Sequence, residues 1–204
     1  MYSKADIFNL ALGALLLNKK IINPDDDKSP ECQVLNTHFN SAFLTTLQDM
    51  DLDSTSTQKD LELLEEDPNS LWKFAYKYPS DCAFFRRIQN GYVTDRRSNQ
   101  IKRRVAIHDG KKVIFTNQEC AVAEYISSKI SIEVLSPNAG LAVAYQLAIL
   151  SAPLVAGKGA GNLRKEIEGR YGRILMQAKQ QDKLENANFE EEDFMSEFVE
   201  ARLE

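Results

Sequence analysis

The sequence predicts an α+β fold, in which N- and C-terminal helices form a helical bundle and a small antiparallel β-sheet is inserted between them. Three observations lead there. Apolar residues recur at three- and four-residue spacing toward both ends of the 204-residue chain. The middle, about 82–135, instead holds short runs rich in β-branched and aromatic residues. Asp109-Gly110 separates two of those runs, a strong short-range hairpin signal. A chain this long builds a core without metal or disulfide support. With 43 % hydrophobic and 27 % charged residues, nine Gly and six Pro, it is neither disordered nor collagenous.

The first helix is predicted over 3–20. Ser3 and Asp6 make a capping-box-like start with Asp in place of Glu, Ile7, Leu10, Ala11, Ala14, Leu15 and Leu17 repeat at helical spacing, and Lys19-Lys20 suit the negative end of the helix dipole. Asn23-Pro24-Asp25-Asp26-Asp27 breaks the pattern. Ser29 then caps a second helix over 29–49, with Pro30 in its first turn and Cys32, Leu35, Phe39, Ala42, Phe43 and Leu47 on one face. His38 lies beside that face and is read as structural. Residues 50–70 are acidic and turn-rich and read as a long surface loop, with at most one helical turn at 61–64.

Strands are predicted at 84–89, 101–108, 111–116 and 121–127. In the second, Ile101, Val105 and Ile107 share one side with Arg103, while Lys102, Arg104 and His108 take the other, giving the sheet a basic face. Ser136-Pro137 repeats the cap-plus-proline signal and opens 136–185, read as two helices. Pro153 kinks or ends the first of them, and Gly157-Lys158-Gly159-Ala160-Gly161 leads to the second. The organisation expected is one domain over 1–185 and an acidic docking tail over 186–204.

Charge is segregated along the chain. The net −5 divides into +2 over 1–24, −10 over 25–67, +1 over 68–85, +7 over 86–112, +1 over 113–185 and −6 over 186–204. Such blocks suit contacts with charged surfaces, copies of the same chain included. Arg86, Arg87, Arg96, Arg97, Lys102, Arg103, Arg104, Lys111 and Lys112 are candidates for DNA or subunit contact. They either line a phosphate-binding face or pair with the acidic 25–67 region. Cys32, Cys82 and Cys120 are odd in number and follow no ligand spacing, which points to a reducing compartment without disulfides or zinc. No secretory leader is read at 10–17, and the uncharged run 138–157 reads as a buried helix rather than a membrane span.

Catalytic signatures are missing from the sequence. Gly157-Lys158-Gly159 places glycine where a phosphate-binding loop needs a hydroxyl for magnesium, and Asn162 stands where a dinucleotide fingerprint needs its third glycine. There is no Gly-x-Ser-x-Gly elbow and no His-Glu-x-x-His, and two histidines are a poor supply of general bases. The expectation is a non-enzyme without catalytic, metal-binding or cofactor-binding residues.

The segment Trp72-Lys73-Phe74-Ala75-Tyr76-Lys77-Tyr78-Pro79-Ser80-Asp81-Cys82, followed by Arg87-Ile88, resembles the tail tubular protein A family of short-tailed bacteriophages. The order of features is similar too. A helical pair with Leu10-Ala11-Leu12-Gly13-Ala14-Leu15 precedes the motif, while a strand near Glu124-Tyr125-Ile126, an Ala-rich helix and a helix bearing Tyr171 follow it. The likeness covers roughly 3–185. Tyr78 where leucine is usual, the enlarged acidic 50–70 stretch and the charged 94–104 stretch depart from the pattern.

The resemblance implies a virion protein at the head–tail junction, assembled in the host cytoplasm. It implies a head-to-tail adaptor forming a ring of twelve subunits between the portal and a tail nozzle resembling tail tubular protein B, near the tail fibres, with genome DNA passing through without specific binding. On this reading Trp72, Phe74, Tyr76, Pro79 and Asp81 organise packing. Alternation of Trp72, Phe74 and Tyr76 would bury some rings and leave others at a subunit seam. Phe194, Phe198 and Val199 would dock the tail on the portal. The alternative function is a nucleic-acid-binding module using the basic 86–112 strands.

Overall fold

The computed structural model describes residues 2–89, 100–155, 157 and 160–186, which hold four α-helices and seven β-strands in two units. One unit, Met1–Thr55 with Ile130–Leu184, is helical. Helix α1 (Lys4–Ala14) starts at a complete capping box: the Asp6 amide donates to Ser3 Oγ at 3.2 Å, and the Ser3 amide donates to Asp6 Oδ2 at 2.9 Å. It stops well short of Lys20. Leu16 turns left-handed at φ 59°, and the Leu17 amide bonds back to the Leu12 carbonyl, a Schellman-type ending. The chain then runs back along α1, where Asn9 makes two 2.8 Å bonds to the Ile21 backbone and Leu15 and Ile21 are buried. Those bonds and that burial offset the strain of a left-handed leucine.

Helix α2 (Pro30–Met50) is capped by Ser29 Oγ, which accepts from the Cys32 amide, and ends at left-handed Asp51. Helix α3 (Pro137–Val155) packs on both α1 and α2, and Ala139, Ala142, Val143, Ala144, Leu147, Ala148 and Ala152 are buried. It is long and apolar enough to span a membrane, yet its small residues serve here as the middle of a helical core. Pro153 lies inside its last turn. Helix α4 (Ala160–Glu185) buries Ile167, Ile174 and Ala178 and is tied down by polar contacts. Tyr171 Oη donates to Asp49 at 2.8 Å, and the buried Asp182 carboxylate accepts from the amides of Asp53 and Ser54 at 2.8 and 3.1 Å.

The other unit, described over Ser56–Lys129, corrects the predicted fold class. In place of a bundle of terminal helices carrying one small sheet, the structure is α+β with two antiparallel sheets. The three-stranded sheet runs β1 (Ser56–Asp60), β7 (Val122–Ser127), β4 (Cys82–Ile88). The four-stranded sheet runs β2 (Leu63–Asn69), β3 (Trp72–Lys77), β6 (Lys111–Thr116), β5 (Arg103–His108). The acidic stretch read as loop therefore supplies β1 and β2, and the aromatic motif supplies β3. Both strands are outer ones and mostly exposed, β1 polar and β2 acidic, so neither shows the apolar alternation that marks a half-buried strand. Asp109 (φ 48°) and Gly110 (φ 71°) make the β5–β6 turn, both left-handed as a type I′ hairpin requires. Tyr76, Ile88, Ile114 and Ala121 form one core cluster of the unit, with Phe74, Tyr78, Phe85 and Ile101 against it. Burying each isoleucine there contributes about 1.5–3 kcal/mol before ordering costs.

Candidate functional site

The aromatic motif lies on β3 and the turn that follows. Phe74 and Tyr76 project to one side, ring centroids 6.1 Å apart, into the core described above. Trp72 packs instead with Ala75, Val113 and Phe115, the cluster on the other side of the strand. Trp72 thus leaves the side that regular two-residue spacing would give it with Phe74 and Tyr76, beside the register shift between the Glu66–Phe74 and Asn69–Trp72 pairs. Tyr76 Oη donates to the Gln118 carbonyl at 3.0 Å, and its burial raises its pKa.

Pro79 is buried and Asp81 holds the turn into β4. Tyr125 Oη and Ser127 Oγ, on the same side of β7, donate to the two Asp81 carboxylate oxygens at 3.1 and 2.9 Å. Burial pushes the Asp81 pKa up, but these hydrogen bonds together outweigh it and hold the carboxyl below its ordinary value. Burial and the Asp81 contact push Tyr125 up to about 12. Nearby, Lys112 Nζ stands 3.7 Å from the Tyr78 ring centroid, and the Cys82 thiol lies 3.1 Å from Tyr78 Oη. Burial, then contact with Cys82, raises the Tyr78 phenol, and burial raises the Cys82 thiol. A thiol so held is poorly suited to nucleophilic work.

The basic residues divide into two groups. Between Phe85 and Arg87 the β4–β7 register shifts by one residue, and Arg86 is the extra one. A bulge turns two consecutive side chains toward one side. Arg86 Nη1 and Arg87 Nε thereby meet the buried Glu124 carboxylate at 3.2 and 2.9 Å, and Gln89 Nε2 adds a 2.6 Å bond. Arg103 donates to the Arg86 carbonyl and lies over the Phe85 ring. Those three arginines, all part-buried, tie β4, β5 and β7 together, whereas Lys112 is exposed and lies against the Tyr78 ring. Lys102, Arg104 and Lys111 are exposed. Two acids of the 50–70 stretch are partnered within the unit, Glu62 by Lys77 at 2.8 Å and Glu65 by His108 at 2.9 Å, and neither partner is one of the nine candidate basic residues.

Sequence reasoning missed Glu124 and Gln89. The available signal was one acid inside the otherwise uncharged strand Val122–Ser127, with two adjacent arginines on an earlier strand. Arg96, Arg97, Phe194, Phe198 and Val199 lie outside the described residues.

In the helical unit, α1, α3 and α4 enclose a cleft of about 300 Å³, with Leu10, Leu141, Leu163 and Ile167 on its walls and the Glu166–Arg170 ion pair at its edge. Among the described residues no three His, Cys, Asp or Glu side chains converge as a metal site would require. Compared with known proteins, the chain matches no protein-family model and no curated protein.

Proposed function

We propose that this chain is a structural subunit of a head-to-tail adaptor ring of a short-tailed bacteriophage, joining portal to tail nozzle and letting genome DNA pass, without catalysis. The observation that carries this reading is the use of the 72–81 segment, on which the family resemblance rests. Its rings fill two clusters on either side of β3, and its aspartate ties the following turn to β7. That is a device for fixing a shape. Large apolar side chains exposed in both units, among them Leu16, Ile22, Leu71, Ile107 and Val134, support association with other chains. The acidic residues 186–204 serve as the portal-docking tail, motivated by their charge and the spacing of Phe194, Phe198 and Val199.

Negative-stain imaging of the purified chain, alone and with the portal of the same phage, tests the proposal. Rings in either sample are the expected result, and no particle larger than a monomer on the portal would refute it. Deleting 188–204 is expected to leave rings intact and abolish portal binding.

A nucleic-acid-binding role for the same strands is favoured by the exposure of Lys102, Arg104 and Lys111. It predicts DNA affinity falling with salt by a log–log slope of about −0.9 per phosphate contacted, so about −3 for three cations. An adaptor that lets DNA pass predicts at most weak binding and a shallower slope.

A further inference from the structure

Opposite edges of the four-stranded sheet carry opposite charge. Outer strand β2 bears Glu65, Glu66 and Asp67, with Leu63 and Leu64 part-exposed beside them. Outer strand β5 bears Arg103 and Arg104, follows directly on Lys102, and exposes Val105 and Ile107. Among the described residues neither strand pairs with another on its far side, and β2 and β5 touch through side chains, His108 to Glu65, over one face of the sheet. An open edge offers a row of N–H and C=O groups to any strand of suitable chemistry.

We propose that β5 of one copy pairs with β2 of a second copy, head to tail, extending the four-stranded sheet across a subunit seam. This rests on the ring reading above and gives the ring a specific contact. All three strand pairs in the sheet are antiparallel, so with four strands β2 and β5 run in opposite directions. A second copy added at the edge in the same orientation therefore presents β2 antiparallel to β5 with like faces aligned. Charge sets the partner. Pairing β5 with β5 puts arginines beside arginines, and pairing β2 with β2 puts acids beside acids, both destabilising. Pairing unlike edges is heterologous, the contact that closes into rings.

The ladder also sets the register. Glu65 stands opposite Ala75, Ala75 opposite Phe115 and Phe115 opposite Arg104, so Glu65 and Arg104 share a face. Placing Arg104 against Glu65 of the second copy therefore puts the two opposite charges side by side on one face, while Arg103 keeps its contacts with the Arg86 carbonyl and the Phe85 ring.

Charge reversal with rescue tests the seam. The measurement is sedimentation velocity at low salt on the full chain, with circular dichroism and Trp72 emission as checks of folding. Arg104→Glu and Glu65→Arg are both at exposed positions. Each alone is expected to weaken association at least tenfold. An equimolar mixture of the two is expected to assemble, because each variant then offers an edge complementary to the other, and the double variant should assemble by itself. The neutral variants Arg104→Gln and Glu65→Gln should weaken association less, and they decide the matter if a reversal unfolds the chain. Single variants that associate like the wild type, or a mixture that stays monomeric, overturn the seam and leave the ring reading standing. A wild-type chain monomeric at every concentration also overturns it, while the ring reading is then decided by assembly on the portal.

Discussion

Replacing Glu124 by glutamine removes the carboxylate on which Arg86, Arg87 and Gln89 converge. The substitution keeps the shape of the side chain and changes the charge, leaving two guanidinium groups facing an amide in the middle strand of the three-stranded sheet. Removing one member of a fully buried ion pair costs about 3–5 kcal/mol. Here the Glu124 side chain is 4 % exposed while Arg86 and Arg87 keep 15 % and 26 %. Water therefore takes up part of the uncompensated charge, and about 2–4 kcal/mol of destabilisation is expected. Trp72 is the chain's one tryptophan and lies in the β unit, so its fluorescence during urea unfolding reports on that unit. At a denaturant dependence of about 2 kcal/mol per molar, the midpoint should fall by about 1–2 M with an unchanged slope. Glu119→Gln, at an exposed position, is the control and should leave the midpoint in place. A Glu124→Gln midpoint within about 0.2 M of wild type would refute the reasoning, because the arginines would then not depend on the carboxylate.

Two further perturbations follow from the geometry. Asp81 has a folded pKa below its ordinary value, so the stability it supplies is fully present above about pH 4 and is lost as pH falls through the lower folded value. Asp81→Asn should cost about 1–3 kcal/mol at pH 7 and progressively less below pH 4, read from urea midpoints across pH. A penalty that does not shrink in acid would contradict the hydrogen-bond account. In the helical unit, a Cβ on Gly140 would come within 2.4 Å of Tyr2 Cδ2. Helix propensity alone favours Gly140→Ala by about 1 kcal/mol. Displacement of the Tyr2 ring should cancel that gain in the wild type and leave it intact in a Tyr2→Ala background, as a thermal double-mutant cycle would show.

Local signals were legible wherever a residue acts on its own neighbourhood. Ser3 with Asp6, Ser29 with Pro30, and Asp109-Gly110 mark their structures because caps and tight turns are settled within a few residues. The end of α1 was not legible. The apolar repeat runs on to Leu17, but Asn9 holds the Ile21 backbone, a contact twelve residues distant. Likewise β1 and β2 look like loop because every polar residue on an outer strand can face water, and the pairing that makes them strands lies in β7 and β3.

By itself the sequence determined the helical segments, strands β4 to β7, the helix caps, the hairpin turn and the division of charge into blocks. All of these depend on residue type and short spacing. Only the tertiary structure decided what the charges do. The +7 block reads as one basic surface, yet a single bulge turns Arg86 and Arg87 inward onto Glu124 and leaves Lys102, Arg104 and Lys111 facing out. Strand order then places acid on one edge of a sheet and base on the other. Register and strand order arise from pairing between distant segments, and composition or periodicity carries no record of them.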